Sequence, residues 1–430
     1  MPNADADRGP AAPRPPAPPP AGTLTRLRRW FWRPPRAHGE VIEDRTVSYL
    51  ELFYDLVYVV VISQAAHPLA THASPRAVLD FAIVFGLIWI AWANGSLYLE
   101  LHGREDGRTR AFTFLQMAVL AQLATFTADA AGASGPAFAR VYAIFLAVMT
   151  WLWYTVRRQD GPEYMAATGA YLVGMLLSIG AMAASAGLPA GPRLAIWALV
   201  DVGWILGMQA MGRRRDEQFA AGVRATDSLV ERFGLLTIIV LGEGVVGVVN
   251  GLNAAPHDAT SILTGLTALG VGFGLWWIYF DVVGRRLPRQ AGGPLTSWMT
   301  SHLPVTMAIA ATGAGLAGLI AQAHVPRTPG PLAGLLAGAV ALALVGLTWT
   351  ARTLADFELL GAVFRPTTRA MLAGAGAALF IGWLRPAPWL LALGLTGVLA
   401  AIWLLAVLRY VQVDAWARDP RARDGAGEPP

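Results

Sequence analysis

Between Val47 and Arg409 the chain divides into twelve apolar segments, each of roughly the ~20 residues that a helix needs to cross a bilayer. Hydrocarbon offers no water to backbone N–H and C=O groups, so such segments must satisfy them internally, as helices. The segments are approximately 47–67, 78–99, 110–130, 137–156, 164–186, 193–211, 229–250, 260–283, 296–322, 331–351, 369–385 and 387–409. Pro, Gly and charge mark the connections between them, as in Ser134-Gly135-Pro136 and Arg385-Pro386. Only 14% of residues are charged, against about 25% in a soluble domain. The expected fold is an all-α membrane protein of about twelve transmembrane helices. Pro304 predicts a kink or break in the ninth.

Arginine placement predicts orientation. All 33 basic residues are arginine. With the N-terminus inside, the inner side receives Arg104, Arg108, Arg110, Arg157, Arg158, Arg213, Arg214, Arg215, Arg224, Arg285, Arg286, Arg289, Arg352, Arg365, Arg369 and those of both tails. The outer side receives Arg76, Arg140, Arg193, Arg327 and Arg385. This bias places both termini in the cytoplasm of a bacterial cell, around an inner-membrane, multi-pass body. The net charge of +5 therefore sets topology, and the lipid bilayer, not nucleic acid, is the expected partner. Without cysteine there is no disulfide and no thiolate metal site.

Residues 1–46 are rich in Pro, Ala and Arg and read as a disordered cytoplasmic tail. Within them Leu24 to Arg33 interleaves Arg with Trp and Phe, a mixture suited to the headgroup layer or to a solvated basic tail. A six-helix repeat over 47–211, a cytoplasmic linker over 212–228, a second six-helix repeat over 229–410 and a disordered tail over 411–430 complete the expected organisation. The repeat rests on two acid-bearing segments. Glu51-Leu-Phe53 matches Glu231-Arg-Phe233, and each is followed by a β-branched run. Each half has six spans, an even number, so both segments enter the membrane in the same direction, as a parallel repeat does. Trp89 and Trp92 echo Trp276-Trp277, and Thr150-Trp151 echoes Thr348-Trp349.

A carboxylate inside a membrane helix costs at least ~2.5–3.5 kcal/mol at mid-depth. Asp55 lies about 12 Å in from Val47 at 1.5 Å per residue, too deep for so short a side chain to reach water. It is either a proton or cation site or a structural acid with a hydrogen-bonded partner. Glu51, four residues earlier on the same face, lies only about 6 Å in. Glu231, beside Arg232, suits an interfacial pair at a helix start. Glu243 lies about 18 Å further along among Gly242, Gly244, Gly247 and Gly251, which permit close backbone approach. His302, two residues before Pro304, is a candidate relay if a broken helix exposes carbonyls there. Asp201, Asn94, Gln116 and Gln122 need internal partners. No His-Glu-x-x-His, Walker phosphate loop or Gly-x-Ser-x-Gly occurs. No metal, cofactor or enzyme activity is expected.

Glu51-Leu-Phe-Tyr-Asp55-Leu-Val-Tyr-Val and Glu231-Arg-Phe-Gly-Leu-Leu-Thr-Ile-Ile-Val-Leu-Gly-Glu243 resemble the two motifs of the bacterial low temperature requirement protein A (LtrA) family. The resemblance covers roughly Val47 to Val411. Members often have His where this chain has Ser228, and Ser where it has Gly244. The resemblance implies an integral membrane protein connected with growth in the cold. Phe53-Tyr-Asp55-Leu-Val-Tyr-Val is also similar to a Phe-Ser-Asp-Gly-Val-Phe-Ala motif of endolysosomal-type potassium channels, which use two six-span repeats whose first helices line the pore. The expected function is a gradient-driven ion- or proton-coupled permease, with an inorganic ion, proton or small molecule as substrate. The alternatives are a channel lined by the first and seventh spans, on their Val57, Val61 and Ile238 side, and a non-transporting structural or signalling protein.

Overall fold

A computed structural model of the chain describes residues 22–40, 45–104, 106–213, 225–290 and 292–418. A short helix, α1 (Thr23–Phe31), precedes twelve long ones. Those of the first half are α2 (Tyr49–Thr71), α3 (Pro75–His102), α4 (Gly107–Thr127), α5 (Gly135–Arg157), α6 (Pro162–Ser185) and α7 (Ala190–Arg213). Those of the second are α8 (Asp227–Ala254), α9 (Ala259–Val282), α10 (Gly292–Ala321), α11 (Gly330–Ala351), α12 (Gly361–Leu384) and α13 (Pro388–Arg418). No strand is present among the described residues. Polar caps fix several starts: Ser48, Ser74, Asp106, Thr226 and Asp258 each accept a backbone N–H of the first turn.

Eleven of the long helices are long and apolar enough to cross a membrane. The twelfth, α4, is diluted by Arg108, Arg110, Gln116, Gln122 and four threonines. Its 21 residues still reach about 31 Å, and the loops at its two ends belong to opposite groups. In one group, Arg36 Nε donates to Gly103 O (2.8 Å) and His38 Nδ1 pairs with Asp160 (2.6 Å). Gln290 bonds both backbone groups of Ala225, and Arg289 N donates to Thr353 O. With Thr226 Oγ1 donating to Glu100 Oε1, these contacts tie together the N-terminal segment and the α3–α4, α5–α6, α7–α8, α9–α10 and α11–α12 connections, an arginine-rich face. In the other group, Arg193 donates to Gly132 O, His324 pairs with Asp258, and Thr328 donates to Pro386 O.

Neighbour relations recur with a shift of six helices. In the first half α2 packs on α3 and α4, α4 on α5, α5 on α6, α6 on α7, and α7 returns to α3. In the second, α8 packs on α9 and α10, α10 on α11, α11 on α12, α12 on α13, and α13 returns to α9. The halves meet unevenly: α2, α3 and α7 of the first lie against α8 or α10 of the second. At the α8–α10 contact the backbones nearly touch. A Cβ on Gly313 would sit 2.8 Å from Gly244 Cα, and one on Gly247 would sit 3.0 Å from Gly313 O. This is the small-residue packing expected around Glu243.

Several expectations change. Helix α10 runs unbroken through Pro304. Thr306 Oγ1 donates to His302 O, and Ser301 Oγ and His302 Nδ1 bond to Trp298 O, so these carbonyls are occupied rather than offered to an ion. Helix α12 begins eight residues before the expected boundary and includes Pro366, and α13 extends past 411 to Arg418. Part of the expected tail is also placed: α1 leaves Leu24, Leu27 and Phe31 exposed, while Arg36 is buried against the end of α3. Residues 1–21, 41–44, 214–224 and 419–430 of the expected tails and linker lie outside the described residues.

Candidate functional site

The sequence Ser48-x-x-Glu51 folds as a capping box. Ser48 Oγ accepts the Glu51 N–H (3.3 Å), and Glu51 Oε2 accepts the Ser48 N–H (3.0 Å). This turns the remaining Glu51 oxygen inward, where Arg45 bonds it. Arg45 also bonds Glu100 at the end of α3, and donates to Ser228 Oγ at 2.8 Å. Glu100 accepts in addition from Thr226 and Ser228, at 2.6 Å each. The positive ends of α2 and α8 thus converge on acids supplied by α2 and α3.

One turn deeper lies the centre of the site. Arg232 Nη2 donates to Asp55 Oδ1 at 3.0 Å, and both side chains are fully buried. Trp92 Nε1 donates to the same oxygen at 2.9 Å. Arg232 Nη1 is 3.9 Å from Glu51 Oε1, near enough for attraction but too far for a hydrogen bond. Asp55 Oδ2, Arg232 Nε and Arg232 Nη1 have no hydrogen-bond partner among the described residues. Beside them Tyr54 donates to Gln116 Oε1 (2.7 Å) and lies over Gly95, where a Cβ would fall 2.2 Å from its hydroxyl. Further along the same two helices, Ser63 Oγ donates to Glu243 Oε1 at 2.6 Å. The contacts Asp55–Arg232 and Ser63–Glu243 follow one order along α2 and α8, so these helices run side by side in the same direction.

The structure therefore joins Asp55 and Glu51 in one cluster and ties Glu243 to the same seam. Glu231 is exposed and stands outside it, because one step along a helix turns about 100° and the inward place falls to Arg232. His302 is fully buried and meets the cluster only through rings, 4.8 Å from Phe233, which lies 4.9 Å from Trp92. Val57, Val61 and Ile238 do not share a pore wall: Val61 is in the core, while Ile238 lines an apolar cavity of about 340 Å³ between α8, α9 and α10. Arg45, Trp92, Glu100, Ser228 and Arg232 are the residues that sequence reasoning missed. Arg232 had a signal, since it shares the spacing of Leu236 and Val240, both buried. No cluster of three or more His, Cys, Asp or Glu side chains able to hold a metal occurs among the described residues.

Fold and site together define a multi-span helical membrane protein with a charged network buried where two parallel helices enter the bundle. The family model described as "Bacterial low temperature requirement A protein (LtrA)" matches residues 46–409, and the chain belongs to that family. No curated protein and no solved structure shows a significant match to it.

Proposed function

We propose that this LtrA-family protein is a gradient-driven, ion- or proton-coupled permease, not an enzyme, and that the α2–α8 seam is its coupling centre. The observation that carries this reading is the buried Asp55–Arg232 pair with hydrogen-bonding capacity left over. Desolvating two charges is repaid only when geometry is good and the remaining donors and acceptors are bonded. Here three of those atoms are not, so the pair is a poor way to gain stability alone. A proton or cation arriving at Asp55 Oδ2 would compete with Arg232, which has Glu51 at 3.9 Å as its alternative. Arg232 would then swing toward Glu51 and Arg45, and the seam would have two states differing by one bound charge. Glu243, half-buried on the same seam, is the second carboxylate available to a transported charge.

The recurrence of helix neighbours supports a parallel repeat, and the arginine-rich face supports both termini in the cytoplasm of a bacterial inner membrane. The test is reconstitution into liposomes carrying pH- and potassium-sensitive dyes. Wild-type protein is expected to dissipate an imposed gradient, and Asp55→Asn and Glu243→Gln to slow it. Unchanged flux in both variants removes this reading and leaves a structural or signalling role.

A further inference from the structure

Asp201 is an intramembrane acid of a different kind. It lies midway along α7, eleven residues from the start and twelve from the end of the helix, and is 8% exposed. The helix turns Leu199, Val202 and Leu206 outward, and its one acid points inward against α3. There Gly86 makes the room: a Cβ at that position would fall 2.7 Å from Asp201 Oδ2. Among the described residues Oδ1 has no hydrogen-bond partner, and no basic side chain faces the carboxyl.

The elements around α7 bring little that could hold a charge at this depth. On α3 nothing from Phe81 to Leu97 is titratable. On α6 the nearest titratable group is Tyr171, which donates to Asn94 and meets Trp204 edge to face. Tyr142 of α5 donates to Leu87 O instead. Helix α10 meets α7 through Gln209 and Thr300, which are uncharged. Arg193, two turns earlier on α7, donates from Nη1 and Nη2 to Leu188 O and Gly132 O, at the helix start and away from Asp201. A lone carboxylate in such surroundings is strongly unfavourable, and a buried acid without a counter-charge neutralises by taking up a proton.

We propose that Asp201 is a membrane-embedded proton-binding site. The carboxyl holds its proton while it sits on Gly86. When the α3–α7 contact opens, the O–H bond breaks, the proton passes to water, and the carboxylate remains until the reverse step. This site is independent of the transport reading, because it requires only that the acid be neutral and able to exchange.

Infrared spectroscopy of the full-length protein in lipid reads both properties. The wild type is expected to show the C=O stretch of a protonated carboxyl at neutral pH. The band should vanish in Asp201→Asn, and in Asp201→Glu, which keeps the acid, it should move rather than vanish. Transfer to heavy water should shift the wild-type band as the proton exchanges. A wild type without the band, or a band untouched by both variants, overturns the site. A band that never shifts in heavy water overturns the exchange and leaves a structural acid. None of these outcomes depends on whether liposomes show flux.

Discussion

Ser63 donates a 2.6 Å hydrogen bond to Glu243, and the two residues occupy the same place in their respective acid-bearing segments: they lie 180 apart in sequence, as Glu51 and Glu231 do. Contact between matching positions is what the centre of an assembly of two like halves produces. The outer packing breaks this likeness, since α7 lies against α10 of the second half while α13 packs within its own half on α9 and α12. At the seam matched positions therefore meet, although Glu51 is buried there and Glu231 is exposed.

Ser63 and Glu243 can be separated by experiment. In Glu243→Gln the amide oxygen still accepts from Ser63, so stability in detergent should change little while gradient-driven flux falls. Ser63→Ala removes the donor and should lower stability by about 0.6 kcal/mol, the average for such interhelical bonds. Thermal unfolding and liposome flux measured on both variants check the contrast.

The Asp55–Arg232 pair predicts a larger effect. Arg232→Met leaves Asp55 buried with only Trp92 for company and should cost about 3–5 kcal/mol. Adding Asp55→Asn in that background removes the unpaired charge and should recover much of the loss. Unfolding of the two single variants and the double variant gives the coupling directly.

Close backbone packing supplies a matched comparison. Gly313→Ala places its methyl 2.8 Å from Gly244 Cα, and neither backbone can yield without parting α8 from α10. A loss of about 1–3 kcal/mol is expected, as for other overpacked cores. Gly242→Ala, on the same helix as Gly244 but with nothing within 4 Å of the added Cβ, should leave the melting temperature nearly unchanged.

The face opposite the arginine-rich one carries a pH-sensitive contact outside the membrane. The backbone N–H of Ser261 and then the His324 side chain hold the Asp258 carboxyl below the usual carboxylate range. A depressed folded-state value adds stability above the ordinary Asp value near ~3.9 and loses it as pH falls through the folded value. Melting temperature should therefore decline on the acid side in wild type, and less steeply in Asp258→Asn. The acid limb of a melting-temperature-against-pH curve measures it.

The division into spans was legible because hydropathy is a local property, and so was the burial of Asp55, because depth alone makes an acid there expensive. The partners were not. Arg45 precedes α2, in a stretch that reads as a tail, and Glu100 sits near the end of α3; at both places the sequence offers solvent as an equally good explanation, and only the tertiary fold brings them to Glu51 and Ser228. Glu231 and Arg232 are adjacent in sequence, and choosing which one faces inward required the buried stripe of α8 to be read past the motif. Pro304 shows a related limit: α10 stays helical on both sides of it, an outcome set by the packing of the whole helix and not by the proline alone.

Sidedness is open to a direct test because the chain contains no cysteine, so any introduced thiol is the only one. Ala133 and His257 are exposed on the face that holds Arg193, and Gln159 and Glu358 are exposed on the arginine-rich face. With the arginine-rich face in the cytoplasm, Ala133→Cys and His257→Cys should react with a membrane-impermeant maleimide in intact cells. Gln159→Cys and Glu358→Cys should react only after permeabilisation. Ala133 follows α4 and Gln159 follows α5, so opposite labelling of these two also shows that α5 crosses the membrane. Gly103 and Ala133 flank α4, and Gly103 is bonded to Arg36 of the N-terminal segment. Labelling of Ala133→Cys from outside, with the N-terminal segment protected, therefore requires α4 to cross despite its arginines and glutamines. Labelling of all four positions from one side would place both faces in the same compartment and would break the alternation on which the seam between α2 and α8 depends.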